Sequence, residues 1–432
     1  VSVLVVRGDA RALPLPDASV DLICTSPPYF ALRAYQDNGE VYEGQIGSEP
    51  TPAAYVDSLI DCTREWMRVL KPSGSLWVNL GDKYAQATER SRNGEGERRT
   101  EQTGGLTGAK SYLGGTVQLD RRGYGVAQKS LVGLPWRYAL RCIDELGLIL
   151  RAEVIWSKVN GLPESVTDRV RRSHEQWFHM VKQPRYFSAV DEIREPHTGP
   201  PPEHYGRTKY DRRPDPSGMA RTKAPAPIGS AREYNPLGKL PGSVWEIPTE
   251  PLQVPAELGI DHFAAFPTEL PRRIILGWSP SGICTACGEG RRPVAKRDEP
   301  NGDLLARRSA RNYQEFEGGE NRTRQSGASS LLKLNLTAGE SPATRIVGEA
   351  CACPDTTAPT RPAVVLDPFG GTGTSALVAA ALGRIGVSVD RSADYCRLAQ
   401  WRTSDRGEIA KAMRVPKPPK PVDGQEALEL FA

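Results

Sequence analysis

Two short stretches carry residue types that can do chemistry together. Ser26-Pro27-Pro28-Tyr29 follows the apolar run Val20–Cys24 directly. The two prolines fix φ, so a hydroxyl, a rigid carbonyl and an aromatic face are held at the end of what reads as a strand. Two acceptors on a rigid turn suit an exocyclic NH2 group, and Tyr29 suits stacking on the ring that carries it. The plainer alternative is a diproline turn beside a chance aromatic. The second stretch, Asp367-Pro368-Phe369-Gly370-Gly371-Thr372-Gly373-Thr374, sits between an apolar run and a small-residue helical one. Gly371 and Gly373 allow tight backbone geometry and close approach of a ligand to helix N–H groups. Asp390 ends the next apolar run, where an acid is placed to hold ribose hydroxyls. Taken alone, the glycines read as a tight strand–helix joint. No Gly-Lys-Ser/Thr follows, which excludes a triphosphate loop, and the Asp-Pro-Phe lead-in fits a nicotinamide fingerprint poorly.

Sulfur supplies a third group. Cys284-Thr285-Ala286-Cys287 and Cys351-Ala352-Cys353 flank an insertion of 63 residues, 288–350. Four thiolates suit tetrahedral zinc, and Cys-x-x-Cys followed by glycine resembles a zinc knuckle, although the second pair is tighter than usual. The expected role is one structural zinc that staples the base of the insertion, with no part in activating water. The alternative is reduced thiols in a loop. Eight cysteines are too sparse for a disulfide scaffold in a chain of 432 residues.

The elements that must position these groups follow from periodicity. Val1–Val6 and Val20–Cys24 read as strands. Thr51 followed by Pro52 reads as a cap with proline at the first helical position, opening a helix to Leu70. Lys71-Pro72-Ser73-Gly74 then turns into the strand Ser75–Leu80. Residues 84–128 are charged, Gly-rich and aperiodic, an excursion expected to be mobile without a ligand. Leu134–Leu146 reads as a helix, Leu148–Trp156 and Gln176–Val181 as strands, and Phe263–Trp278 as a helix. The last block alternates strand Ala363–Leu366, the glycine turn, helix Ser375–Leu382, strand Ile385–Val389 and helix Ala393–Arg402.

Together the two turns resemble the S-adenosylmethionine-dependent amino-methyltransferases of DNA. Their catalytic motif is Asp/Asn/Ser-Pro-Pro-Tyr/Phe and their cofactor motif Asp-Pro-Phe-x-Gly-x-Gly-Thr. The catalytic motif lies N-terminal to the cofactor motif, which resembles the permuted β group. Arg7-Gly8-Asp9, Gly81-Asp82-Lys83-Tyr84, Trp156-Ser157-Lys158-Val159-Asn160-Gly161 and His262-Phe263-Ala264-Ala265-Phe266-Pro267 match as well. The resemblance spans residues 3–186 and 244–403. It implies an α/β fold, a Rossmann-like sheet that is mostly parallel with one antiparallel strand. It also implies site roles. Ser26, Pro27, Pro28 and Tyr29 are catalytic. Asp367, Phe369, Gly371, Gly373 and Thr374 form the cofactor loop, Asp390 binds the ribose, Asp9 the adenine amine, and Phe266-Pro267 the methionine end. The serine variant is typical of cytosine-N4 enzymes and the aspartate variant of adenine-N6 enzymes. The Asn-Pro-Pro-Tyr of glutamine methyltransferases is missing, as is the Pro-Cys of cytosine-C5 enzymes.

The expected activity is therefore site-specific methylation of cytosine N4 in double-stranded DNA after base flipping, with adenine N6 as the alternative. A non-catalytic DNA-binding relative is the reading of a different class, and the intact Ser26, Tyr29 and glycines argue against it. The catalytic half is expected over 1–196, target recognition over 197–243, and the cofactor half over 244–403 with the cysteine-flanked insertion 284–353. A linker and tail follow over 404–432. Arg207, Lys209, Arg212, Arg213, Arg221 and Lys223, interleaved with Tyr205, Tyr210 and Tyr234, are the expected DNA contacts, against the alternative of a solvated basic loop. The net charge of +4 decides nothing here. The ending Gln425-Glu426-Ala427-Leu428-Glu429-Leu430-Phe431 resembles the peptide by which bacterial proteins dock on the replication sliding clamp, with Gln425, Leu428, Leu430 and Phe431 as anchors. No apolar run reaches the ~18 residues of a membrane span. The expected setting is a bacterial cytoplasm, the gene being bacterial or phage-borne.

Overall fold

The computed structural model describes residues 2–32, 36–37, 40–41, 43–85, 126–127, 129–161, 163–197, 235, 237–260, 265–297, 344–353 and 357–417. Its strands begin with β1 (Val3–Arg7), β2 (Val20–Thr25), β3 (Gln36–Asp37), β4 (Glu40–Val41), β5 (Leu70–Leu80), β6 (Ile149–Ser157), β7 (His174–Val181) and β8 (Val244–Glu246). They continue with β9 (Ile283–Cys284), β10 (Arg292–Arg297), β11 (Thr344–Ala350), β12 (Thr360–Arg361), β13 (Val364–Asp367) and β14 (Ile385–Asp390). The helices are α1 (Pro52–Val69), α2 (Leu134–Asp144), α3 (Glu269–Trp278), α4 (Thr374–Ala381), α5 (Ala393–Ser404) and α6 (Arg406–Met413).

The chain forms two compact units, the first of residues 1–190, 242–291 and 351–432, the second of 191–241 and 292–350. The first holds a sheet of order β1-β14-β13-β2-β5-β7-β6-β8. Only β7 runs antiparallel to its sheet neighbours, the remaining pairings in this sheet being parallel. This is a Rossmann-like sheet, mostly parallel with one antiparallel strand, as the resemblance implies. In the second unit β10 and β11 pair as an antiparallel ribbon, and Glu195 bridges Lys239.

Local chemistry explains the elements. β2 is buried at every position, which suits a strand inside a parallel sheet covered on both faces; its Asp21 is paired with Lys71. Thr51 caps α1 by accepting from the Ala54 N–H at 3.1 Å. The inner face of α1 buries Tyr55, Leu59 and Trp66, and the Trp66 indole donates to the Ala10 carbonyl at 3.1 Å. Truncating so large a buried ring costs about 3–5 kcal/mol. α2 has no side-chain cap of its own. Asp82 supplies one from across the fold, its Oδ1 accepting from the Gly133 and Leu134 N–H groups at 2.9 and 3.0 Å.

Three boundaries differ from expectation for physical reasons. β5 starts at Leu70, because Val20 pairs with Leu70 and Leu22 with Ser75, so Lys71–Gly74 bulges within the strand and Pro72 sits where a ladder bond is already broken. α3 starts at Glu269, after Pro267 has biased Phe266 away from helical geometry. Arg406–Met413, inside the stretch expected as linker and tail, is helical. Its Asp405 accepts from the Glu408 N–H at 2.8 Å, a cap the spacing Asp405-x-x-Glu408 announces.

Candidate active site

Parallel strands end on one edge, so the loops after β1, β2, β5, β13 and β14 open on the same side of the sheet. A cleft of about 830 Å³ lies there, lined by Ser26, Pro27, Pro28, Tyr29, Asp9, Phe266, Phe369, Gly371, Thr374 and Asp390. The structure thus brings the reactive turn and most of the expected cofactor set together. Asp367, Gly373 and Pro267 are not in the lining.

The glycine turn is tied to itself and to the helix behind it. Asp367 is buried, and its Oδ1 accepts from the Thr25 hydroxyl at 2.7 Å and the Phe369 N–H at 3.1 Å. Its Oδ2 accepts from the Ser375 hydroxyl at 2.9 Å. Burial pushes this carboxyl up to about 6 against those donors. Asp367 therefore locks the turn to β2 and α4 and does not present itself to a ligand. Gly373 has φ +74°, the left-handed geometry that lets α4 begin immediately after the turn. Asp390 accepts from the Gly371 and Ser392 N–H groups, each at 2.9 Å. Burial raises it to about 6, and those N–H groups oppose the rise. Buried Arg402 donates to the Thr372 and Thr374 hydroxyls at 2.8 and 2.7 Å. Asp9 is gripped by Arg11, whose Nε and Nη2 donate to its two oxygens at 3.0 and 2.7 Å. This holds its carboxyl below the ordinary range.

The reactive turn is tied instead to distant strands. Ser26 Oγ donates to Asn79 Oδ1 at 3.1 Å. Tyr29 Oη lies 2.6 Å from Asn79 Oδ1 and 2.7 Å from Glu175 Oε2. The Asn79 amide is oriented by Nδ2 donating to the Gln176 carbonyl at 3.1 Å. Lys158 Nζ donates to Glu175 Oε1 at 2.5 Å. Tyr55 donates to the Pro28 carbonyl at 2.8 Å, pinning the diproline from α1. Burial and then the Glu175 charge push the Tyr29 phenol well above its usual range, so it keeps its proton. A Cβ at Gly81 would stand 2.5 Å from the Tyr29 ring, so only glycine fits beside it.

The sulfur atoms of Cys284, Cys287, Cys351 and Cys353 lie within 4.8 Å of one another. A tetrahedral zinc with Zn–S of ~2.3 Å needs sulfurs ~3.8 Å apart, so the set fits such an ion with little adjustment. The Cys287 and Ala286 N–H groups hold the Cys284 thiol down at about 7. Against the Glu289 N–H, desolvation and the Cys284 and Cys351 sulfurs push the Cys287 thiol up to about 11.

A family model described as DNA methylase, covering the N6 and N4 enzymes, matches residues 20–284, well over half of the chain. The chain belongs to the DNA methylase family. The Type II methyltransferase M.SmaI of Serratia marcescens is 33% identical over 280 residues, covering 64% of this chain and 76% of that protein. The Type II methyltransferase M.Cfr9I of Citrobacter freundii is 31% identical over 278 residues, 64% of this chain and 72% of that protein. A solved structure, the PvuII DNA methyltransferase (cytosine-N4-specific), aligns with a TM-score of 0.47 and 17% identity over 96% of this chain and 92% of that one. The family match contains the reactive turn and ends before the glycine turn, whose reading rests on its own geometry.

In this DNA methylase, sequence reasoning named the reactive turn and missed the groups that hold it. Asn79, Lys158 and Glu175 all line the cleft. Lys158 lay inside a recognised stretch without a role, Asn79 stood two residues before Gly81-Asp82, and Glu175 carried no signal. Arg207, Lys209, Arg212, Arg213, Arg221 and Lys223, most of the 84–128 excursion, His262–Ala264 and the tail anchors Gln425, Leu428, Leu430 and Phe431 lie outside the described residues. Among the described residues no helix is long and apolar enough to cross a membrane.

Proposed function

We propose that the protein transfers a methyl group from S-adenosylmethionine to the exocyclic N4 amine of cytosine in duplex DNA, at a specific site. The observation that carries this reading is one cleft shared by the Ser26–Tyr29 turn, the Phe369–Thr374 turn and Asp390. The bacterial relatives are Type II methyltransferases, which supports a site-specific enzyme of that type. The cofactor would lie along the glycine turn, with Asp390 accepting from ribose hydroxyls, Asp9 from the adenine amine, and Phe266 against the methionine end. When bound it supplies an electrophilic methyl on a sulfonium.

An aromatic amine is a poor nucleophile because its lone pair is delocalised into the ring. The Ser26 proton is directed to Asn79 Oδ1 at 3.1 Å, so the Ser26 lone pairs face the cleft as acceptors. Ser26 Oγ and the Pro27 carbonyl, accepting from the amine N–H groups, favour a pyramidal nitrogen and localise its pair. In-line attack forms the N–C bond while the C–S bond breaks and its electron pair returns to sulfur. One amine proton then passes to water, and catalysis is mainly orientation. The Tyr29 face replaces stacking lost on flipping. Serine at position 26 favours cytosine N4 over adenine N6. One structural zinc on Cys284, Cys287, Cys351 and Cys353 completes the reading.

The test is transfer of labelled methyl from S-adenosylmethionine to unmethylated bacterial DNA. Label in the DNA, abolished by excess S-adenosylhomocysteine, is expected. DNA without label would overturn the proposal.

A further inference from the structure

The reactive turn poses a proton-counting problem. Tyr29 Oη lies at hydrogen-bond distance from two acceptors, Asn79 Oδ1 at 2.6 Å and Glu175 Oε2 at 2.7 Å, yet it has one proton. The amide of Asn79 cannot turn to supply another, because its Nδ2 donates to the Gln176 carbonyl at 3.1 Å. Lys158 Nζ pairs with Glu175 Oε1 at 2.5 Å. A carboxylate is the stronger acceptor, so it takes the Tyr29 proton. The remaining donor on Asn79 Oδ1 is then the Ser26 hydroxyl at 3.1 Å.

We infer that Glu175, held by Lys158, is a positioning residue that accepts the Tyr29 hydroxyl in a hydrogen bond and so fixes the Tyr29 ring in the cleft. Asn79 Oδ1, with two lone pairs, accepts from Ser26 whichever way the Tyr29 proton points. Glu175 adds an anchor for the ring, and the face that stacks on a flipped base is held in one orientation. The same bond holds the Tyr29 ring against Gly81, whose missing side chain leaves the ring its place. The inference rests on the proposed amino-methyl transfer and adds a residue from β7 and one from just after β6 to a turn made by β2.

The test is a double-mutant cycle of wild type, Tyr29→Phe, Glu175→Met and the double variant. Kinetics use S-adenosylmethionine and DNA from a methylation-free bacterial strain, and cofactor affinity is measured by calorimetry. Each single change should lower kcat about tenfold, the worth of one charge-assisted hydrogen bond. Cofactor affinity should stay within about twofold, and the double variant should be no slower than Tyr29→Phe alone. A double variant slower by the product of the single effects, about a hundredfold, would overturn the inference. So would Glu175→Met with wild-type kcat. Where Glu175→Met does not fold, Glu175→Met with Lys158→Met, which removes the stranded ammonium, carries the same cycle. A second readout needs no turnover. The Tyr29 hydroxyl proton should give a downfield NMR signal in the wild type, absent in Tyr29→Phe and moved upfield in Glu175→Met, where the neutral Asn79 carbonyl replaces a carboxylate acceptor. An unmoved signal in Glu175→Met would overturn the assignment. A wild type that leaves DNA unmethylated would sink the methyl-transfer reading, while the proton signal would still decide the arrangement.

Discussion

The two turns that share the cleft are held in opposite ways. The glycine turn is satisfied mostly within its own segment: Phe369 N–H on Asp367, Gly371 N–H on Asp390, and Ser375 on Asp367, 2, 19 and 8 residues apart, with β2 its distant tie through Thr25 and the Cys24 carbonyl. Ser26 and Tyr29 are satisfied by Asn79 and Glu175, 53, 50 and 146 residues away. A loop tied mostly within its own segment keeps its shape with little more than β2 behind it. A turn tied to two other strands is set by the sheet, so its geometry is only as good as β5 and β7 make it.

The difference predicts opposite kinetic signatures, and these are the largest expected effects. Ser26→Ala should lower kcat about a hundredfold or more and leave cofactor affinity nearly unchanged, because its acceptor matters most in the transition state. Asp390→Ala should weaken cofactor binding about tenfold or more, with kcat at saturating cofactor little altered. Rapid-quench kinetics beside calorimetry separates the two. If both variants lose affinity and rate in the same proportion, the division of labour between the turns is wrong.

The pH dependence sharpens the same contrast. Asp390 titrates at about 6, above the ordinary carboxylate range, because burial disfavours its charge. Ribose hydroxyls need the ionised acceptor, so cofactor affinity should fall about tenfold from pH 7.5 to pH 5, and Asp390→Asn should flatten the profile. Stability should move the other way. Asp367 and Asp390 both bind a proton more tightly folded than unfolded. Their contribution is therefore greatest below the unfolded carboxylate value of ~4 and declines as pH rises through about 6. Thermal melts of wild type and the Asp390→Asn variant across pH 4–8 check the sign.

How much of this was legible follows from the same contrast. The glycine turn, Asp390 and the Ser-Pro-Pro-Tyr stretch could be read because each is a run of adjacent residues beside an apolar strand. The cap on α6 is legible too, in Asp405-x-x-Glu408, although the Pro/Lys stretch after it reads as linker. Glu175 could not be read. It stands in a strand of ordinary composition, and its meaning comes from β7 lying antiparallel beside β5, which puts Asn79 opposite Trp177. Asp367 shows the reverse case, a motif residue of the turn whose side chain faces inward to Thr25 and Ser375.

Smaller effects should appear outside the two turns. Purified protein should contain about one zinc per chain, and chelation should lower the melting temperature by several degrees more than it alters turnover per folded molecule. Metal-free protein of normal stability would leave the cysteines as plain thiols. A labelled peptide of residues 421–432 should bind bacterial sliding clamp, lose affinity when Leu430 and Phe431 become alanine, and leave turnover on naked DNA untouched. Binding indifferent to both changes would remove the clamp.

Nucleoside mass spectrometry of DNA treated with the protein and labelled S-adenosylmethionine tests the central claim most directly. The account predicts labelled N4-methylcytosine, absent when Ser26 is alanine. Labelled N6-methyladenine would keep the two turns and change the base they serve. Label on cytosine C5, or on neither amine, would contradict the account.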